Sequence, residues 1–275
     1  MNTQRFWFRF RKNRLAVIGA LILIAIVAMA ITAPILAPRD PARIELDQRE
    51  RAPNATQWFG TDRLGRDVFT RIVWGARVSL GVSLLAVSLG SVIGILLGAL
   101  AGYAGGVIDA IIARAIDLML ALPTFFLLVA IQSLFPPNLV NVIGVIGITS
   151  WMAIARIGRG QFLALKQRDF VTAARAIGVH PSRIIFRHIL PNVSSQIIVF
   201  FTLGLADAVL IESALSFLGL GVPPYQASWG NMLNEGQIGI LSGAWWIAFF
   251  PGLMILLTAL AINLVGDGLQ ESLFK

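Results

Sequence analysis

Few side chains of this chain could carry out covalent chemistry. It has no cysteine, and its two histidines, His180 and His188, lie in one polar stretch, which excludes thiol catalysis, disulfides, a Ser-His-Asp triad and a zinc site within the apolar runs. None of its lysines, Lys12, Lys166 and Lys275, has the neighbours that a phosphate-binding P-loop requires. We therefore predict a chain that is not an enzyme and has no catalytic, cofactor or metal site. Any ATP hydrolysis that drives it must come from a partner.

Acidic residues inside or near the apolar runs are a second group of side chains that could have a chemical role. Asp207 and Glu212 lie in the run 197–218, and Asp117 and Asp267 lie in or near other runs. A charge costs about 2.5–3.5 kcal/mol at the centre of a bilayer, so these side chains must face protein or water. Either they line a transport pathway or, as we favour, they make polar contacts between helices. Asp207 and Glu212 are five residues apart and so do not share a helix face.

Long uncharged runs position these residues. Hydrophobic residues make up 57% of the chain and charged residues 13%, which is typical of an integral membrane protein. Six runs are long enough to cross about 30 Å of hydrocarbon: 15–36, 78–103, 116–135, 139–155, 197–218 and 246–265. We predict an all-α polytopic membrane protein with about six transmembrane helices. The first run is too long for a signal peptide and lacks a small-residue cleavage site, so we expect it to be retained.

Basic residues predict the orientation. Arg5, Arg9, Arg11, Lys12 and Arg14 precede the first run, and seven more basic residues lie in 156–196. Six spans place both groups on one side, which the positive-inside rule makes the cytoplasm, together with both termini. The outer segment 38–77 holds eight arginines, and its length accounts for the exception. The net charge of +8 is spread over both faces, so we expect contact with membrane lipid and no binding of nucleic acid.

Glycines at every fourth position mark one helix of the core. Gly90, Gly94, Gly98 and Gly102 fall on one face, which predicts a ridge where another helix packs closely. We divide the chain into residues 1–77, with a cytoplasmic tail, the first span and an outer loop, and a core domain 78–275 that carries a cytoplasmic loop 156–196. Five tryptophans lie at the last span or in the segments assigned outside, and we expect them to anchor the protein at the membrane interface: Trp58, Trp74, Trp229, Trp245 and Trp246.

The polar segment 166–192 predicts two short helices around Gly178. Asp169 is the expected N-cap of the first, whose apolar face is formed by Phe170, Ala173, Ala174 and Ile177. Gly178 should end this helix in the left-handed conformation. The second helix should begin at His180-Pro181 and stop at Pro191.

A small-faced cytoplasmic helix suits docking into a groove of another protein. Ala173 and Ala174 give it a smooth surface, and arginines such as Arg175 can pair with the acidic residues of a partner. The alternative is an amphipathic helix that rests on lipid headgroups.

The same segment resembles the EAA-x3-G-x9-I-x-LP pattern in the cytoplasmic loop of the permease subunits of ATP-binding-cassette (ABC) importers. Every spacing is kept in Thr172-Ala173-Ala174, Gly178 and His188-Ile189-Leu190-Pro191. Thr172 replaces the Glu of the pattern, and His188 replaces its Ile. With Asp169 as the cap, a Glu at 172 would have closed a capping box, so Thr172 should leave the helix slightly less fixed. Further segments resemble the second, C-type permease of the dipeptide, oligopeptide and nickel branch: 59–69, 212–221, 228–230 and 263–267.

This resemblance implies a type I ABC importer permease fold in a bacterial inner membrane. It also implies a heterodimer with a homologous second permease, two ABC ATPase subunits and an extracytoplasmic substrate-binding protein. The implied cargo is di- or oligopeptides, with nickel chelates or glutathione as alternatives, and a stand-alone secondary transporter or channel is a remote one. The residues expected to couple to an ATPase are Asp169, Phe170, Thr172, Ala173, Ala174, Arg175, Ile177, Gly178, Pro181, Leu190 and Pro191.

Overall fold

The computed structural model describes residues 3–274 of the chain and the side chains of residues 7–273. The side chain of Arg5 and all of Lys275, both used in the sequence argument, lie outside that description. No strand forms within residues 3–274. The helices are α1 (Thr3–Lys12), α2 (Arg14–Ile31), α3 (Ala33–Leu36), a 3₁₀ turn (Leu46–Gln48), α4 (Val68–Ala104), α5 (Gly106–Ala121), α6 (Thr124–Gln132), α7 (Leu139–Lys166), α8 (Asp169–Ala176), α9 (Pro181–Arg183), a π-helix (Ile184–Ile189), α10 (Leu190–Phe217), α11 (Trp229–Leu241) and α12 (Trp246–Phe274).

Five helical stretches are long and apolar enough to cross a membrane: α2, α4, α7, α12, and α9 to α10 taken together. A sixth crossing is made by α5 and α6, which meet at an angle of 88°. Because α4 and α7 run in the same direction, the chain between them has to return across the molecule, and this bent pair makes the return. The predicted all-α membrane protein with about six spans is thereby confirmed.

The third span is not the continuous helix that the apolar run 116–135 predicts. Leu122 is extended (φ −88°, ψ 138°) and precedes Pro123, which separates α5 from α6. A proline disfavours the helical conformation of the residue before it, so hydropathy alone missed the break.

The closest helix packing lies between α4 and α7, along the predicted glycine ridge. A Cβ added to Gly94 would lie 2.7 Å from the carbonyl oxygen of Trp151, and one added to Gly98 would lie 2.7 Å from that of Ala155. Gly90 and Gly102 lie equally close to α7. The two backbones therefore touch over three helical turns, which only glycine on α4 permits.

Salt bridges fasten α5 to α7 beside this seam. Arg159 Nη2 lies 2.8 Å from Asp109 Oδ2, and Arg156 Nη2 lies 2.5 Å from Asp117 Oδ1. Asp117, which the sequence left open between a pathway and a helix contact, is thus a contact between helices.

The two ends of the helix bundle carry different structural elements. Asn13, the N-cap of α2, donates a hydrogen bond to Glu271 of α12 at 3.0 Å, so both ends of the described chain lie together. We call this the α8 end, because α8 lies here against the last turns of α4 and α7. The opposite, loop end carries residues 37–67, the segment 218–228 and α11, which packs on α10 and α12.

The second helix of the segment 166–192 does not stop at Pro191. Residues 181–217 form one apolar helical stretch with a π-helix at Ile184–Ile189. Leu190 donates its backbone amide to Ile185 in the wider π pattern, and the side chain of Asn192 donates to the carbonyl of His188 at 2.6 Å. These bonds satisfy the backbone around a proline that has no donor of its own, which is why the usual stop fails here.

The predicted loop 156–196 is accordingly mostly helical. α7 continues to Lys166 instead of ending near Ala155, and residues 181–196 belong to α9, the π-helix and α10. Only α8 and its two short connections lie between these long helices.

Candidate functional site

The helix α8 ends as the sequence predicts. Gly178 has φ +77°, the Gly178 amide donates to the Arg175 carbonyl, and the Val179 amide donates to the Ala174 carbonyl. This pair of bonds is a Schellman motif, in which a residue with positive φ closes the last turn. A Cβ on Gly178 would meet nothing within 4 Å, so glycine is needed here for its backbone conformation and not for space.

The beginning of α8 differs from the prediction. Its N-cap is Arg168, and Asp169 is the first helical residue, with its side chain exposed and no capping bond. The carbonyl of Arg168 accepts the amides of Val171 and Thr172. Thr172 is thus the fourth helical residue, so a Glu there could not have closed a capping box, and that argument was wrong.

Ala173 and Ala174 lie on different sides of α8, one exposed and one buried. Ala174 is 7% exposed and packs with Val171 against the ends of α4, α7 and α10, whereas Ala173 is exposed. The prediction of one apolar face with both alanines is therefore wrong. An α-helix with apolar residues on two sides gives no local sign of which side meets the core. The exposed apolar residues include Phe170 (42% exposed), Ala173 and Ile177 (81% exposed).

Tyr103 at the end of α4 contacts Lys166, which precedes α8, and Arg175, which lies in the last turn of α8. The guanidinium of Arg175 lies 5.2 Å from the centre of its ring, and Lys166 donates to its carbonyl oxygen at 2.6 Å. A cation over an aromatic face contributes about 0.5–1 kcal/mol at an exposed site. Arg175 therefore makes a contact within this chain, in addition to any ion pair that it could form with a partner.

The remaining predicted coupling residues surround α8. Pro181 opens α9 at its first helical position, with His180 as the N-cap, as expected. Leu190 is half-buried and packs in the same cluster as Val171 and Ala174, and the side chain of Pro191 is exposed. Residues 169–191 thus form one compact element at the α8 end.

The two acids of α10 have different surroundings. Glu212 is fully buried; the Ser216 hydroxyl donates to it at 2.8 Å, and the hydroxyls of Ser79, Ser213 and Ser228 surround it. Asp207 is exposed to a cavity of about 500 Å³ between α4, α7 and α10. Glu212 is thus a contact between helices, whereas Asp207 lines a space.

Two family models match the chain. Residues 94–275 match the binding-protein-dependent transport system inner membrane component, and residues 2–55 match the N-terminal TM domain of oligopeptide transport permease C. The chain belongs to this family of ABC importer permeases.

Curated relatives of this permease match it over nearly its whole length. It is 44% identical to the dipeptide transport system permease protein DppC of Bacillus subtilis (98% of this chain, 85% of the relative) and 40% identical to the oligopeptide transport system permease protein OppC of the same species (96% and 87%). It is also 42% identical to the glutathione transport system permease protein GsiD of Escherichia coli (98% and 88%). The family resemblance stated from the sequence is confirmed.

Solved structures support the fold of the permease. An inward-facing structure of the MetNI methionine ABC transporter matches with a TM-score of 0.59 at 18% identity, covering 72% of this chain and 93% of the other. The type I ABC importer permease fold is confirmed.

A buried ionic cluster at the loop end of the permease escaped the sequence analysis. Arg71 of α4 lies 2.6 Å from Asp62 and also binds Glu235 of α11, and Arg66 bridges the same two acids at 2.7 and 2.6 Å. Asp62 and Arg71 are each 1% exposed. The cluster ties the segment 59–69 to α11. Glu235 is 164 and 169 residues from the two arginines, and only the resemblance of 59–69 to the family pattern marked the region.

Two of the five tryptophans expected at the membrane interface are buried at this end, Trp229 and Trp246. Trp229 is fully buried and donates to the Ile72 carbonyl at 3.1 Å, and Trp246 donates to the Thr61 carbonyl at 3.0 Å. The prediction that they are membrane-interface anchors was wrong, because both side chains find protein acceptors in the core.

Proposed function

We propose that this chain is the C-type transmembrane subunit of an ATP-driven peptide importer and that α8 is its contact with an ATPase subunit. The names of its relatives support the cargo: two of those described above belong to dipeptide and oligopeptide transport systems. The glutathione relative keeps a second cargo open, and glutathione is itself a small peptide derivative. A homologous second permease, two ATPases and a substrate-binding protein complete the proposed assembly.

The observation that carries the coupling role is the division of α8 into a fixed side and a free side. Val171 and Ala174 hold α8 against three membrane helices, while Ala173 is exposed and is flanked by the large side chains of Phe170 and Ile177. A small surface between two apolar anchors fits a groove of a partner, and the buried side passes the motion of that partner to α4, α7 and α10.

Charge supports an orientation with the α8 end in the cytoplasm. Of the arginines at the loop end, Arg43 pairs with Glu45, Arg63 with Glu50, and Arg66 and Arg71 with Asp62 and Glu235. The positive-inside rule counts lysines and arginines and gives acids little weight, so this pairing does not decide the orientation. Five basic residues before the first apolar run and seven within 156–196, against eight in 38–77, favour a cytoplasmic α8 end with both termini on that side.

The test is an Ala173→Trp substitution in the reconstituted importer. A bulky ring at the centre of the docking surface should lower ATP-driven peptide uptake by about tenfold or more, since loss of ~1.4 kcal/mol of docking energy is tenfold. Basal hydrolysis by the ATPases should persist. Ala55→Trp, an exposed alanine at the loop end, is the matched control and should transport normally.

Ala174→Trp separates docking from folding. Ala174 is buried, so this substitution should lower the yield of folded permease, whereas Ala173→Trp should not. Undiminished uptake by Ala173→Trp would refute the docking assignment.

Uptake measurements in the same vesicles test the cargo and the energy source. We expect uptake of labelled dipeptide to need ATP and all subunits, with competition by glutathione or a nickel chelate reporting the alternatives. Uptake by this chain alone on an ion gradient, without nucleotide, would instead indicate a secondary transporter.

A further inference from the structure

The cavity beside α10 has one charged wall residue. It lies at mid-depth between α4, α7 and α10, with a volume of about 500 Å³, and its lining is mostly apolar. The hydroxyls of Thr149 and Ser150 line it too, but both donate to carbonyls of their own helix, α7. Asp207 therefore supplies the negative charge of this space.

Asp207 has no hydrogen-bond or salt-bridge partner among the described residues. An acid at this depth faces water, a cation or hydrogen-bond donors, and no donor among the described residues reaches Asp207. The break between α5 and α6 gives an independent sign of water, because Leu120 and Thr124, on either side of Pro123, line the same cavity. Non-helical backbone at membrane depth occurs where it is buried in protein or borders a water-filled space.

We propose that Asp207 binds the α-ammonium group of a peptide as the peptide passes through the cavity. This proposal rests on the proposed function, since it takes peptides as cargo. Every unblocked peptide carries that ammonium group whatever its side chains, and the apolar walls can contact varied side chains without selecting among them. A single ionic contact in a hydrated cavity also holds the peptide weakly, so that it can leave.

Cysteine chemistry in the assembled importer tests the charge of the cavity. The chain has no cysteine, so Leu210→Cys, an exposed cavity position three residues from Asp207, introduces one thiol into this subunit. We expect it to react faster with a trimethylammonium methanethiosulfonate than with the sulfonate reagent. Asp207→Asn should lower that rate ratio about tenfold, because a unit charge about 6 Å away in water-like surroundings changes each rate about threefold in opposite directions.

Peptide protection tests the ligand. Tri-alanine should slow modification of the Leu210→Cys thiol, N-acetyl-tri-alanine should protect much less, and the difference should vanish in Asp207→Asn and return in Asp207→Glu. Asp267→Asn removes an exposed acid that does not line the cavity and should change nothing.

The possible results separate this proposal from the proposed function. Absence of any ATP-driven peptide uptake by the unsubstituted importer would refute the proposed function. Normal uptake with equal protection by both peptides would overturn the ammonium site alone. Equal rates with the two reagents, together with poor assembly of Asp207→Asn, would mean that Asp207 pairs with a cation of the second permease, and this too would overturn it.

Discussion

The buried ionic cluster at the loop end makes a graded prediction about stability. Arg71 and Asp62 are 1% exposed, Arg66 is 8% exposed and Glu235 is 24% exposed, and the two positive and two negative charges balance. Arg71→Met would leave two carboxylates to share Arg66, so the cost should approach the ~3–5 kcal/mol that follows when one partner of a buried pair is removed. Glu235→Gln should cost only about 1 kcal/mol, because water screens the more exposed carboxylate.

The apparent unfolding temperature of the purified permease, read by size-exclusion chromatography after heating, gives the ranking. We expect Arg71→Met to be least stable, Asp62→Asn next and Glu235→Gln closest to the unsubstituted protein. The double variant Asp62→Asn/Arg71→Met should lose less than the sum of its parts, because the two residues share one contact. Arg63→Met is the matched control: its ion pair spans 3.8 Å at the surface and should matter by less than about 0.5 kcal/mol. Equal melting of Arg71→Met and Arg63→Met would refute the reasoning.

Two further predictions concern glycines. Gly94→Val should push α4 from α7 and lower the yield of folded permease, while Gly81→Val on the same helix, where an added Cβ meets nothing within 4 Å, should be tolerated; equal yields by fluorescence-detected chromatography would contradict the packing role. Gly178→Ala should cost about 1–2 kcal/mol through its left-handed backbone, and faster proteolysis at α8 should report it. Gly160→Ala, in an open position within α7, is the control and should not loosen α8, so equal cleavage of both variants would count against the cap.

Features that depend on short-range geometry could be predicted from the sequence. The four-residue spacing of the glycines predicts a close packing ridge on α4, since a helix repeats its face at about that interval, but it does not identify α7 as the partner. Gly178 was identified as the left-handed cap because few other residues tolerate that conformation. The restart at Pro181 follows from the missing amide, which costs nothing in a first turn.

Features that depend on distant partners could not be predicted. Pro191 looks like a stop until the π-helix before it and the side chain of Asn192 satisfy the backbone. The buried side of α8 is decided by α4, α7 and α10, and its sequence is apolar on both sides. The pairing of Arg71 with Glu235 could not be predicted, because nothing near either residue in the sequence points to the other.

The attachments of α10 indicate how a pull on α8 would reach the cavity. At the loop end, Glu212 lies within a group of serines from α4, α10 and the segment before α11, which fixes that part of the helix. At the α8 end, the π-helix before Leu190 is a wider and less regular turn, so motion should concentrate there. α10 would then tilt about Glu212. Asp207 lies about 8 Å from this pivot and Leu190 about 33 Å from it, at 1.5 Å per residue. The α8 end would therefore move about four times as far as Asp207. A tilt that opens the α8 end widely would therefore change the cavity around Asp207 only slightly. A small change is enough for a weak ammonium site, which has to hold its ligand in one state and release it in the next.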